Sequence, residues 1–263
     1  MLFVAVLFAP LPLHTGANNF DTLRRSLTEA YSGMFGQGSE AQELPAALRD
    51  KSMQAEERKQ LFIGTLLPIV LTENERLRTK RHDMLALLAR IESGATLSPS
   101  DQGWLRSLAS DYRVDGDPVT DVDAQRTLRR RIDVIPAELA LAQAALESGW
   151  GRSVYARAHR DPFGMQGIVR KDPSQPKFES LRDSVRTYLR TLNSHPAYQK
   201  LRIIRSRLRK QGKPLEGQLL AAGLTRYSEL GQGYVEKVVA VLRSNDFKRL
   251  AAANTIHRDR DAA

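Results

Sequence analysis

The chain has no cysteine. That excludes disulfides, a thiolate nucleophile, a zinc–thiolate centre and a lipid anchor on an N-terminal cysteine. It leaves the compartment open, since exported proteins need not contain cysteine. The five histidines lie far apart, with no H-x-x-H or H-E-x-x-H pair, so no zinc site is expected. A G-x-S-x-G elbow of a serine hydrolase is missing. So are a zinc finger and a glycine-rich phosphate loop. Aromatic content is modest at 6%, but 41% hydrophobic residues suffice for a proper core in one large domain or a domain with an appendage. No internal repeat or low-complexity stretch is present.

Residues 2–9 are continuously apolar until Pro10 and Pro12 interrupt them. The run is too short to span a membrane as a helix. It reads as the apolar core of a secretory signal ending near Ala17, without the basic leader that normally precedes one. An exported protein of the periplasm or cell envelope is expected, with no stable transmembrane span. The alternative is a short apolar element of the folded body.

The formal charge is +10, a field that attracts polyanions such as nucleic acid or a wall polymer with peptide carboxylates. Residues 184–215 hold nine Lys or Arg and no acid. Arg202, Arg205, Arg209 and Lys213 recur there at helical spacing, which predicts a solvated basic face. Without a nucleic-acid module, no nucleic-acid partner is expected. A monomer is.

Helical periodicity dominates the pattern. A short helix is read over 20–31 and a long one over about 56–90, which Pro68 should kink or divide. Ser98-Pro99-Ser100 opens another helix. Asp115-Gly116-Asp117-Pro118 is the clearest turn signal, and a domain boundary is placed there. The division is a targeting segment (1–17), a helical N-terminal region (18–117), a catalytic domain (118–250) and a tail (251–263). Within the third part, helices are expected from Asp121 to Arg131, from Pro136 to Ser148, and over 181–193, 197–210, 215–222 and 233–244. Residues 155–178 read as loop, and strand content must be low.

The helix from Pro136 to Ser148 is apolar nearly all round, through Leu139, Ala140, Leu141, Ala142, Ala144, Ala145 and Leu146. Such a helix is buried. Gly149 and Gly151 end it. Glu147 is then a carboxylate in the last turn of a buried helix. Burial and the negative end of the helix dipole both raise its pKa, the condition for a general acid near neutral pH. Gln143 lies four residues earlier on the same face, within hydrogen-bonding reach.

The run Ala144-Ala145-Leu146-Glu147-Ser148-Gly149-Trp150-Gly151 resembles the A-x-x-E-S-G-W-G acid motif of the lysozyme-like glucosaminidases, which cut peptidoglycan. Asp161-Pro162-Phe163-Gly164 resembles their N-L-F-G loop. Phe178-Glu179-Ser180-Leu181 with Ser184, Val185 and Tyr188 resembles their next helix entry. Tyr227-Ser228-Glu229-Leu230-Gly231 with Tyr234 resembles their C-terminal tyrosine motif. Upstream, Phe62 to Asn74 with Arg81, and Leu192-Asn193-Ser194-His195-Pro196-Ala197-Tyr198 with Leu201-Arg202, are similar to Bax-type glucosaminidase-domain proteins of bacteria. The likeness covers about 57–250.

This resemblance implies an α+β, mostly α fold: a lysozyme-like catalytic domain with a helical N-terminal appendage. It implies a β-N-acetylglucosaminidase acting on peptidoglycan glycan strands, with no cofactor. Glu147 is the expected general acid and Tyr227 an auxiliary catalytic residue of the cleft. Gln143, Asp161, Phe163, Gly164 and Glu229 are the expected substrate-binding residues. Tyr234 and Trp150 are expected to pack. A second carboxylate, the usual partner of such an acid, is not assignable among Asp161, Asp172 and Glu179. That leaves two alternatives: a lytic transglycosylase using the same glutamate, and a non-catalytic wall-binding or scaffold protein.

Overall fold

The computed structural model describes residues 42–165 and 177–243, all of one compact unit. The targeting segment, the helix read over 20–31, Asp172 and the tail lie outside them. The described residues form nine α-helices and two short 3-10 helices, with no strand among them. The helices are α1 (Ala55–Glu92), α2 (Pro99–Asp111), α3 (Val122–Arg131), α4 (Ala137–Ser148), α5 (Val154–Ala158), α6 (Leu181–Ser194), α7 (Gln199–Lys210), α8 (Gly217–Ala221) and α9 (Gln232–Arg243). The 3-10 helices are Ala46–Arg49 and Pro196–Tyr198. The expected α+β class therefore narrows to mostly helical, with no β part among these residues.

Most boundaries follow their local chemistry. Ser98 caps α2 by accepting the Asp101 N–H at 3.1 Å, with Pro99 in the first helical position. Asp121 caps α3 in the same way through Asp123 and Ala124. The short α5 falls inside the stretch expected to be loop. Its cap, Ser153, accepts from the Ala156 N–H. Five residues are too few to generate a readable period.

Pro68 does not divide α1. The helix continues through it, with Leu66, Leu67, Ile69 and Val70 buried on either side and packed on α4 and α6. An interior proline costs about 3 kcal/mol. Burying four aliphatic side chains returns roughly 1.5–3 kcal/mol each, so packing prevails. The core runs on across the Asp115–Pro118 turn, whose Asp115 and Gly116 are exposed. Leu105, Leu108 and Tyr112 before it share one cluster with Leu128, Ile132 and α4 after it.

α4 is the central helix. Ala137 and every residue from Leu139 to Ala145 are buried, against α1, α8 and α9. Its alanines let neighbouring backbones come close. The extended lead-in, Ile132 to Pro136, has no strand to pair with, so side chains satisfy its polar backbone. Asn74 of α1 bonds both the N–H and the carbonyl of Ile135. Asn193 of α6 donates to the Asp133 carbonyl at 2.8 Å.

Arg205 completes this arrangement and overturns the solvated-face expectation. It is 1% exposed and donates to the carbonyls of Arg130, Arg131, Asp133 and Val134 and to Asn193 Oδ1. Arg202 is buried as well. It donates to the Leu192 and His195 carbonyls, at the C-terminal end of α6 where a cation is favoured. Arg209 pairs with Asp133 at 2.8 Å. Half of the basic spacing is thus internal structure. Helical period places residues on a face but does not say whether water or carbonyl oxygens meet it.

Candidate active site

The C-terminal end of α4 is built by left-handed backbone. Gly149 adopts φ +58° and Gly151 φ +77°, and the Trp150 N–H returns to the Ala145 carbonyl at 2.9 Å, closing a Schellman-type end. Ser148 Oγ donates back to the Ala144 carbonyl and accepts the Gly151 N–H. Gly151 has a second requirement. A Cβ there would lie 2.6 Å from Leu48 Cδ1, so only glycine fits against the preceding segment. Trp150 packs edge-on to Phe62 of α1, ring centres 5.7 Å apart. The E-S-G-W-G run is therefore a rigid helix stop anchored to α1.

Glu147 sits in the last turn before this stop, half-buried. Burial pushes its carboxyl above the ordinary glutamate range. The Tyr234 hydroxyl beside it works in the opposite direction, and the nearby Asp161 charge adds to the rise. Gly164, at φ +59°, lies directly against it. A Cβ at that position would be 3.0 Å from Glu147 Oε2, so glycine here holds the loop close to the acid.

The Phe163–Gly164 loop is fixed from two sides. Phe163 is fully buried and stacks on Tyr188 of α6, centres 4.0 Å apart and planes 13° from parallel. Its carbonyl accepts the Tyr227 hydroxyl at 2.7 Å. Asp161 is 1% exposed, accepts the Met165 N–H and pairs with Lys177 at 3.1 Å. Lys177 also donates to the Met165 carbonyl.

Behind Glu147 runs a buried polar chain. Gln143 is 0% exposed. Its Oε1 accepts the Tyr188 hydroxyl at 2.8 Å and its Nε2 donates to the Tyr234 hydroxyl at 3.0 Å. Tyr234 stacks on Tyr227 at 5.2 Å, and Tyr198 leans on Tyr227 at 5.8 Å. Burial raises the pKa of all four tyrosines, so each remains a neutral hydroxyl at working pH.

Of the residues singled out from sequence, Glu147, Gly164, Phe163, Asp161, Gln143 and Tyr227 converge at one place. Only Glu147 and Gly164 present reactive or close-approach surface there. Gln143, Phe163 and Asp161 are buried behind it, and the Tyr227 hydroxyl is engaged with the loop backbone. Glu229 is exposed, on the turn after Tyr227. Tyr234, read as packing, is the hydroxyl that favours the ionised form of Glu147. Tyr188 and Tyr198 complete the cluster. A buried glutamine at i−4 from a buried acid needs partners on both sides, and that was the available signal for Tyr188 and Tyr234. Among the described residues no three His, Asp or Glu side chains converge as metal ligands. No described helix is long and apolar enough to cross a membrane.

Residues 123–247 match the family model described as mannosyl-glycoprotein endo-beta-N-acetylglucosaminidase, from the start of α3 through α9 and thus every residue of this cluster. Protein bax of Escherichia coli (strain K12) is 30% identical over 204 residues, covering 75% of this chain and 72% of that protein. No solved structure matches the chain. The matched residues carry the acid-bearing helix and its tyrosine frame together, and the chain belongs to the Bax-type proteins that contain this glucosaminidase domain.

Proposed function

We propose that this protein hydrolyses the glycan chain of peptidoglycan as a β-N-acetylglucosaminidase in the cell envelope, with Glu147 as general acid in a lysozyme-like domain. The observation that carries the reading is the half-buried carboxyl at a rigid helix stop, its pKa raised by burial, with glycine backbone alone on one side. A protonated carboxyl in that position delivers its proton to the glycosidic oxygen as the C1–O bond breaks and the leaving sugar departs as an alcohol; water then adds to the oxocarbenium-like centre and gives a proton back to the carboxylate. Tyr227 supports the reaction by holding the Phe163–Gly164 loop against the acid. In this reading the catalytic domain starts near Pro118, and the helices before it complete its core.

One observation favours a second reading. Among the described residues Asp161 is the carboxylate whose charge reaches Glu147, and it is buried and paired with Lys177. A single glutamate can serve both proton steps in a lytic transglycosylase. Digestion of purified sacculi separates the readings by product mass. Hydrolysis gives reducing N-acetylglucosamine ends, transglycosylation gives anhydro-muramic ends, and a wall-binding scaffold gives neither. Hydrolytic products that vanish in Glu147→Gln are expected. Anhydro products would transfer the assignment to the second reading.

A further inference from the structure

The polar chain behind Glu147 has a direction. The Tyr188 hydroxyl meets Gln143 on its Oε1, which accepts only, so Tyr188 must donate. The Gln143 amide then faces Tyr234 with Nε2, which donates only. The Tyr234 oxygen is thereby an acceptor toward Gln143, and its one proton is free for another partner. Were the amide reversed, Tyr234 would spend that proton on Gln143. The stack of Phe163 on Tyr188 and of Tyr227 on Tyr234 holds both phenols in plane, so the chain has little room to rearrange.

We propose that Gln143 is a positioning residue for the acid: locked by Tyr188, its amide turns the single hydroxyl proton of Tyr234 toward Glu147 and so leaves the carboxyl's own proton on the other oxygen, available to a leaving group. This inference rests on the reading of Glu147 as the acid. Gln143 touches neither substrate nor reacting atoms. It acts through Tyr234. The groups facing Glu147 are Tyr234 from α9, Tyr227 from the turn before it, Tyr198 from the 3-10 helix, and Asp161 from the loop, itself paired with Lys177. Tyr234 is the one among them whose proton is set by a fixed amide. Without that donated bond the ionised carboxylate loses a partner, and Glu147 should hold its proton to higher pH.

The test titrates the Glu147 carboxyl carbon by NMR in the full chain, its signal assigned by its loss in Glu147→Gln. The same variants are assayed for pH dependence on sacculi. Tyr234→Phe should raise the midpoint by about half to one pH unit, the equivalent of one hydrogen bond. Gln143→Met, close in size, should raise it in the same direction by less, and Tyr188→Phe by least. The basic limb of kcat/KM should follow, and kcat in Gln143→Met should fall about tenfold, one neutral hydrogen bond's worth of rate. A purely structural Gln143 would lower the melting temperature and leave the midpoint in place. If Gln143→Met does not fold, Tyr188→Phe, which keeps the stacked ring, carries the test alone. An unmoved midpoint in the folded variants overturns the inference, as does movement in Tyr234→Phe without any in Gln143→Met or Tyr188→Phe. Wild-type digestion by Glu147→Gln would instead overturn the acid reading, and the inference with it.

Discussion

The two ends of α4 hold two acids, one buried and one half-buried, whose carboxyls shift in opposite directions. At the entry, Asp133 is 3% exposed and lies among three arginines, Arg81, Arg205 and Arg209, at 3.9, 3.7 and 2.8 Å. Burial alone would push its carboxyl up, but the arginines more than reverse this and hold it far below the usual aspartate range. At the exit, Glu147 meets hydroxyls and another carboxylate. Its burial is opposed by the Tyr234 hydroxyl, and its pKa rises. Burial pushes both up, so the charge of the neighbours decides which way each acid shifts. The cationic end ties four segments of chain together. The other end favours the protonated carboxyl more than free glutamate does.

The largest expected effect tests the exit. Glu147→Gln keeps shape and removes the donor, so turnover on sacculi should fall on the order of 10²–10⁴, with little change in melting temperature. Retained turnover would end the comparison. At the entry the consequence should be the reverse. Asp133→Asn leaves the buried Arg205 without its counter-charge, and breaking such a pair costs about 3–5 kcal/mol. Denaturant midpoints should show that loss, while specific activity of the remaining folded protein stays near wild type. Arg205 and Arg209 belong to the same ion cluster, so reversing their charge probes folding rather than wall binding.

Tyr227→Phe should have a smaller effect. It removes one bond that pins the Phe163–Gly164 loop, worth about 0.5–1.5 kcal/mol. A lowered melting temperature with near-normal turnover per folded molecule marks an anchor. Unchanged stability with lowered kcat would mean the hydroxyl leaves the loop to meet the sugar.

The finest effect is in pH. Glu147 has a raised folded pKa, so its stabilising contribution is present below the unfolded glutamate value and is lost as pH rises through the folded one. Wild type should therefore lose stability relative to Glu147→Gln across that interval. Asp133 has a depressed folded pKa. Its contribution is present above the unfolded aspartate value and is lost only as pH falls toward the folded one. Urea denaturation of wild type and both variants over acid to neutral pH should show the two differences running in opposite directions. Parallel curves would show that the two ends share one electrostatic character.

Much of this protein was legible along the chain because it depends on local chemistry. The apolar run from Leu139 to Leu146 dictates a buried helix, Gly149 its left-handed stop, and Ser98 and Asp121 their caps, each through atoms a few residues apart. Glu147 could be singled out for the same reason, since its place in the last turn of that helix is a matter of spacing. What the spacing could not reveal was the company. Tyr234 lies 91 residues from Gln143, and Arg205 lies 72 from the Asp133 carbonyl it binds. Pro68 was expected to kink or divide its helix, and neighbouring helices hold that helix in one piece; Arg202 and Arg205 were expected in water but fill the interior. Burial and hydrogen-bond partners are properties of segments meeting in space. The sequence by itself determined where the helices lie and which acid stands at the end of the central one. Only the tertiary structure decided which way each acid's hold on its proton shifts, because that depends on which charges and hydroxyls the fold brings within a few ångströms of it.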